Sequence, residues 1–215
     1  MKKLIITAIA LTMLGNVMAH QPNFESAIKE TLSLLDSAKT PVDMHNVIGR
    51  FERITLAEGQ KWEAHYYLAY TRINSSFWEK DGEKKDAILD EAQKSINKAL
   101  ELDGDKSELY ALQGFLYQGR IQVSAMRGMT YSPKAAEVLE KSIKTNPENP
   151  RAYFLLGQNL FFTPAMFGGG SKNALPKFLA AKEKFEKENG KEGIEPKWGS
   201  KSNLRMIEKC NADIN

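Results

Sequence analysis

From Phe24 onward, apolar residues recur at intervals of three and four. Phe24, Ile28, Thr31, Leu32 and Leu35 share one face, closed by Lys39-Thr40-Pro41, and Val47, Ile48, Phe51, Ile54 and Thr55 share the next. A period of 3.6 residues brings such positions to one side of an α-helix. No segment alternates apolar and polar residues between turn signals, as a half-buried strand does. The pattern predicts an all-α chain.

The helical segments repeat. Tyr110-x-x-Gln113-Gly114-x-x-Tyr117 is followed by Ala135-x-x-x-Leu139-x-x-Ser142 and Asn146-Pro147. Tyr153-x-x-Leu156-Gly157-x-x-Leu160 is followed by Ala174-x-x-x-Phe178-x-x-Ala181, and an earlier copy reads Trp62-x-x-His65-Tyr66-x-x-Ala69, then Ala92-x-x-x-Ile96-x-x-Ala99. Each copy pairs a helix carrying a large, a small and a large residue with one carrying a small, a large and a small. Paired helices approach closely where small residues of one meet large residues of the other, which makes Gly114, Gly157 and the alanines contact points. Pro147 and Asp103-Gly104 end second helices and reset the chain.

With these residues the chain resembles the tetratricopeptide repeat family over about residues 60–185. Repeats fall at about 60–104, 107–148 and 150–189, and a half-repeat at Met44, Ile48 and Phe51 precedes them. The match weakens at His65-Tyr66, where the family has a large-small pair. The resemblance implies a helical-hairpin solenoid of three repeats, with helices before it and a cap over 190–215. First helices start at Trp62, Tyr110 and Tyr153, intervals above the family's period of about 34 residues. Ala92 to Tyr110 equals Ala135 to Tyr153, so the extra residues lie between the two helices of a repeat. They are expected to form extended turns at about 74–85, 120–133 and 161–172, all on one edge.

By the same resemblance, residues beside the packing positions of the first helices line a concave face: Glu63, Tyr67 and Tyr70; Phe115, Gln118 and Arg120; Phe154, Gln158, Phe161 and Phe162. Aromatics are favoured binding anchors, so this face is the candidate site. The alternative is that some of them pack beneath the long turns or against the N-terminal helices. The lysines and asparagines of the family's peptide-carboxylate clamp are largely missing.

Met1-Lys2-Lys3, the apolar Leu4–Leu14 and Val17-Met18-Ala19 read as a cleavable export signal ending at Ala19, with His20 where a lipoprotein needs cysteine. Residues 20–215 then form one domain in a periplasmic or secreted protein with no membrane span. Of the 215 residues 42% are hydrophobic and 27% charged, values of a folded globular protein. The net charge of +3 includes Lys2 and Lys3 of the leader, and the remaining charges interleave, so no nucleic-acid partner is expected.

The single cysteine, Cys210, reads as a small buried hydrophobe. His20 and its new α-amine could chelate copper, but His45 and His65 sit in helical patterns, so an exposed terminus is preferred and no metal site is assigned. Gly168-Gly169-Gly170-Ser171-Lys172 lacks the strand and spacing of a phosphate loop and reads as a turn, with Met166-Phe167 folded back on the helices. Acids such as Glu63 and Glu108 look isolated, no catalytic constellation emerges, and neither an enzyme nor a cofactor is expected. Residues 191–196 read as a flexible approach to a last helix, where Trp198, Leu204 and Ile207 cap the array. The function expected is a monomeric scaffold that binds a protein or peptide in the aromatic groove. The alternative is an accessory of a periplasmic transport system that binds a small apolar molecule or lipid in an enclosed pocket walled by Trp78, Phe115, Phe154 and Phe161.

Overall fold

The structure, a computed structural model, describes residues 23–188, 190 and 192–214. The leader and His20 lie outside the described residues. Within them the chain forms nine α-helices and no strand: α1 (Phe24–Ser37), α2 (Pro41–Ala57), α3 (Trp62–Ser76), α4 (Gly82–Glu101), α5 (Lys106–Ile121), α6 (Gly128–Thr145), α7 (Pro150–Phe162), α8 (Ser171–Glu188) and α9 (Ser200–Ile214). Single 3-10 turns at Ala125–Arg127 and Ala165–Phe167 precede α6 and α8. No described helix is long and apolar enough to cross a membrane.

Local chemistry starts these helices. Thr40 and Asp43 form a reciprocal capping box ahead of Pro41. The side chains of Asn23, Asp81, Asp105 and Asn149 accept the first free N–H groups of α1, α4, α5 and α7. After α4, Asp103 takes the left-handed conformation with φ 53°, and the Gly104 N–H bonds back to the Ala99 carbonyl at 3.0 Å. Gly104 is needed for a different reason: a Cβ there would stand 2.9 Å from the Trp62 ring.

The helices pack chiefly as pairs, α3 with α4, α5 with α6 and α7 with α8, while the first members α3, α5 and α7 also touch in a row. Within pairs the small-to-large fit is close. A Cβ on Gly114 would lie 2.6 Å from Leu139, and one on Gly157 would lie 2.7 Å from Phe178. Ala92, Ala99, Ala135, Ser142, Ala174 and Ala181 are all fully buried. One core cluster gathers around Phe51, Tyr66, Ile73 and Leu112, the other around Leu155, Phe178 and Met206, and Phe115 and Tyr117 join them.

The expected long turns are short. The first connection is only residues 77–81, because α3 continues to Ser76 and the Asp81 cap starts α4 early. Residues 128–133, expected to be irregular, form the start of α6, and Pro133 is accommodated within the helix. Pro176 sits likewise within α8. A proline this near a helix start removes a single ladder bond, so the extra residues lengthen the helices. The second connection is pinned to α4 by Asp86, whose carboxylate meets both Arg127 nitrogens at 2.7 Å and Arg120 at 2.6 Å.

Gly114→Val, forced against Leu139, lowers stability by about 2 kcal/mol in chemical denaturation, whereas Gly49→Ala, where a Cβ meets only an Arg53 nitrogen at 3.6 Å, raises it by about 0.5–1 kcal/mol. The hydrogen bonds from Arg127 and Arg120 hold the Asp86 carboxyl below its ordinary value of 3.8. Its contribution is therefore complete above that pH and fades as pH falls through the lower folded value. Asp86→Asn should be destabilised by about 1 kcal/mol at neutral pH, and the gap from the parent should close on acid titration.

Candidate functional site

The row α3, α5 and α7 presents the aromatic face, but much of it is covered by the chain itself. Tyr67 is 2% exposed and stacks on Phe51 at 5.9 Å, and Phe154 is 4% exposed. Tyr70 and Phe115 lie 6.2 Å apart, and Phe115 meets Phe77 at 5.4 Å. Gln118 donates to the Leu155 carbonyl at 2.7 Å. Arg120 turns away to Asp86 and Asp90 of α4. Glu63 and Gln158 are half-buried, and Phe161 packs edge-on to the exposed Phe162 at 5.1 Å. The structure therefore brings Tyr67, Tyr70 and Phe115 together and leaves Arg120 out.

The cover is the segment 192–199 between α8 and α9. The Tyr67 hydroxyl donates to the Ile194 carbonyl at 2.6 Å, and Pro196 is buried. The Trp198 indole lies flat over Tyr70 at 4.8 Å and Phe115 at 5.7 Å, and its N–H donates to the Tyr66 hydroxyl at 2.9 Å. Gly193 and Gly199, with φ of 110° and 107°, supply the bends. The described part of the approach expected to be flexible is thus packed, while Lys191 lies outside the described residues. Trp198 fills the inner face as well as reaching the second core, and Leu204 is 44% exposed. The buried face of α9 is Asn203, Met206 and Cys210, and Asn203 donates to the Phe178 carbonyl at 2.9 Å.

Beneath the strap is a buried ion cluster. Arg151, 2% exposed, donates to Glu108 through Nε at 2.8 Å and Nη2 at 2.7 Å, and its two terminal nitrogens reach Glu188 at 3.0 and 2.9 Å. Tyr66 adds its hydroxyl to Glu108 at 3.3 Å. Glu108, expected to be isolated, is the centre of this network. Burial pushes its carboxyl up, with Arg151 opposing. Burial also works against the Arg151 charge, and the Glu108 and Glu188 carboxylates outweigh it, so the guanidinium is held protonated.

A cleft of about 360 Å³ opens between α1 and the strap. Tyr67 and Tyr70 form its floor, Ile194 and Trp198 one wall, and Leu32, Ser33 and Leu35 the other. Its rim carries Lys29, Lys197, Asp36 and Glu195. A more polar hollow of about 570 Å³ between α1 and α2 is lined by His45, Arg50 and Arg53. His65 is tied to the Gly59 carbonyl at 3.1 Å, and among the described residues no His, Cys, Asp and Glu group could hold a metal ion.

The connections between paired helices and the helix ends beside them expose large apolar side chains: Phe77 and Trp78, Met126 and Met129, then Phe162, Met166 and Phe167. Met166 and Phe167 do not fold back on the helices, because the turn that carries them is closed by its own backbone. The N–H groups of Gly168, Gly169 and Gly170 donate to the carbonyls of Ala165, Pro164 and Leu160. A Cβ on Gly169 would lie 1.9 Å from the Thr163 carbonyl oxygen. These N–H groups are spent within the turn and form no phosphate cradle.

No family model matches the chain, and no curated protein sequence matches it. Among solved structures, the HusA haemophore from Porphyromonas gingivalis superposes with a TM-score of 0.82 at 31% sequence identity, over 92% of this chain and 98% of that one.

Arg151→Met leaves Glu108 buried without its counter-ion and should lower stability by about 3–5 kcal/mol in urea. Trp198→Phe keeps the stack, loses one hydrogen bond, and should lower it by about 1 kcal/mol.

Proposed function

Because the chain belongs to the family of the HusA haemophore, we propose that it is an exported binding protein whose cargo is haem or a similar planar tetrapyrrole. The observation that carries this reading is identity of 31% sustained along nearly the whole of both chains. In it the three helix pairs are a short tetratricopeptide-like array, residues 1–19 are removed on export, and the monomeric protein acts by binding without catalysis. The cleft between α1 and the strap suits such a cargo. A flat macrocycle packs against aromatic side chains, and the mutually stacked Tyr70 and Trp198 line the cleft with Leu32 and Leu35 opposite. A cleft of about 360 Å³ falls within the range of ligand sites and leaves the polar edge of a macrocycle at the rim. There Lys29, paired with its exposed neighbour Glu25, can exchange partners with a ligand carboxylate at little cost.

Titration with haemin, followed by its Soret band and by tryptophan quenching, tests the reading. Saturable binding at one equivalent is expected, weakened about tenfold or more by Tyr70→Ala and by Ser33→Trp, which fills the cleft from an exposed position. Haemin uptake that never saturates would rule the reading out.

A further inference from the structure

The apolar edge formed by the connections has no role in the cleft. Met126, Met129, Phe162, Met166 and Phe167 are between 69% and 83% exposed, unusual for such side chains gathered on one edge of a folded chain. Their two connections are neighbours. Ser132, one turn after Met129, meets Thr163 at 3.2 Å, and its carbonyl accepts from Asn159 at 3.0 Å.

Charge is as uneven as polarity there. No Asp or Glu occurs between Leu109 and Ala136 or between Asn149 and Lys182. Arg127 is matched by Asp86. Lys134 and Lys172 flank the edge and form no ion pair among the described residues, Lys134 lying 5.4 Å over the Tyr131 ring, while Ser171 beside Lys172 donates to the Asp213 carboxylate of α9 at 2.6 Å. The first connection adds Phe77 and Trp78 but also Glu79 and Asp81, and so forms the flank.

Apolar tips flanked by the Lys134 and Lys172 ammonium groups, with the nearby Asp86 carboxylate already neutralised by Arg127, are complementary to a surface with negative headgroups over an apolar interior. We propose that this edge docks the protein reversibly on an anionic lipid surface, with Met166 and Phe167 entering the interface and Lys134 and Lys172 lying at headgroup level. This goes beyond the cargo reading and does not depend on it. The closed Gly168–Gly170 turn keeps the tip presented.

The test is sedimentation of protein recovered from the cell envelope or medium with vesicles of phosphatidylglycerol and phosphatidylcholine, against phosphatidylcholine alone. Binding to the anionic vesicles should be about tenfold tighter and weaken with added salt. Met166→Glu with Phe167→Glu should reduce it about tenfold with an unchanged circular dichroism spectrum and melting temperature. Leu56→Glu, at an apolar residue 86% exposed on α2, should leave it unchanged. No preference for anionic vesicles, or equal binding by the double variant, overturns the proposal. So does loss of haemin binding by that variant without vesicle association, which would make the edge the cargo site. If the parent protein takes up no haemin yet binds the vesicles, the cargo reading fails and this one stands.

Discussion

A guanidinium in the core dictates how the inner half of this molecule is arranged. Arg151 enters on α7 with almost no exposure, and an unpaired buried charge is not tolerated, so carboxylates must come to it from α5 and from the end of α8. Glu108 in turn takes the Tyr66 hydroxyl, and Tyr66 takes the Trp198 indole. Four helices and the strap are thereby set in one register. Hydrophobic packing alone leaves neighbouring helices free to slide by a turn, whereas a bidentate ion pair has one good geometry.

The periodicity announced the helices, and the small residues announced how they pair. Gly114 against Leu139 and Gly157 against Phe178 are the contacts that the large-small spacing requires. What spacing could not reveal is whether surplus residues become loop or helix. That depended on single residues, the Asp81 cap and the tolerance of Pro133 in an early turn, which extended helices into stretches read as irregular. Met166 and Phe167 depart from the pattern for a related cause: hydrophobicity argues for burial, but a turn closed on its own carbonyls leaves its tip nowhere to go.

The site was legible in composition more than in geometry. The aromatic character of the inner face stands in the sequence, and Tyr67, Tyr70 and Phe115 do gather there. Their cover was hidden, because residues 192–199 have no periodicity to place them. The ion cluster does have a signal in the sequence. Glu108 and Arg151 each stand two residues before the tyrosine that opens the repeat pattern, so equivalent positions of adjacent helices carry opposite charges.

The bond between Trp198 and Tyr66 joins positions 132 residues apart. Contacts of this sequence separation slow the search for the native state. Until the C-terminal segment is present, Tyr66 and Tyr70 lack the Trp198 indole and Tyr67 lacks the Ile194 carbonyl. A chain still being made therefore lacks this seal. Completion of the inner face waits for the whole sequence.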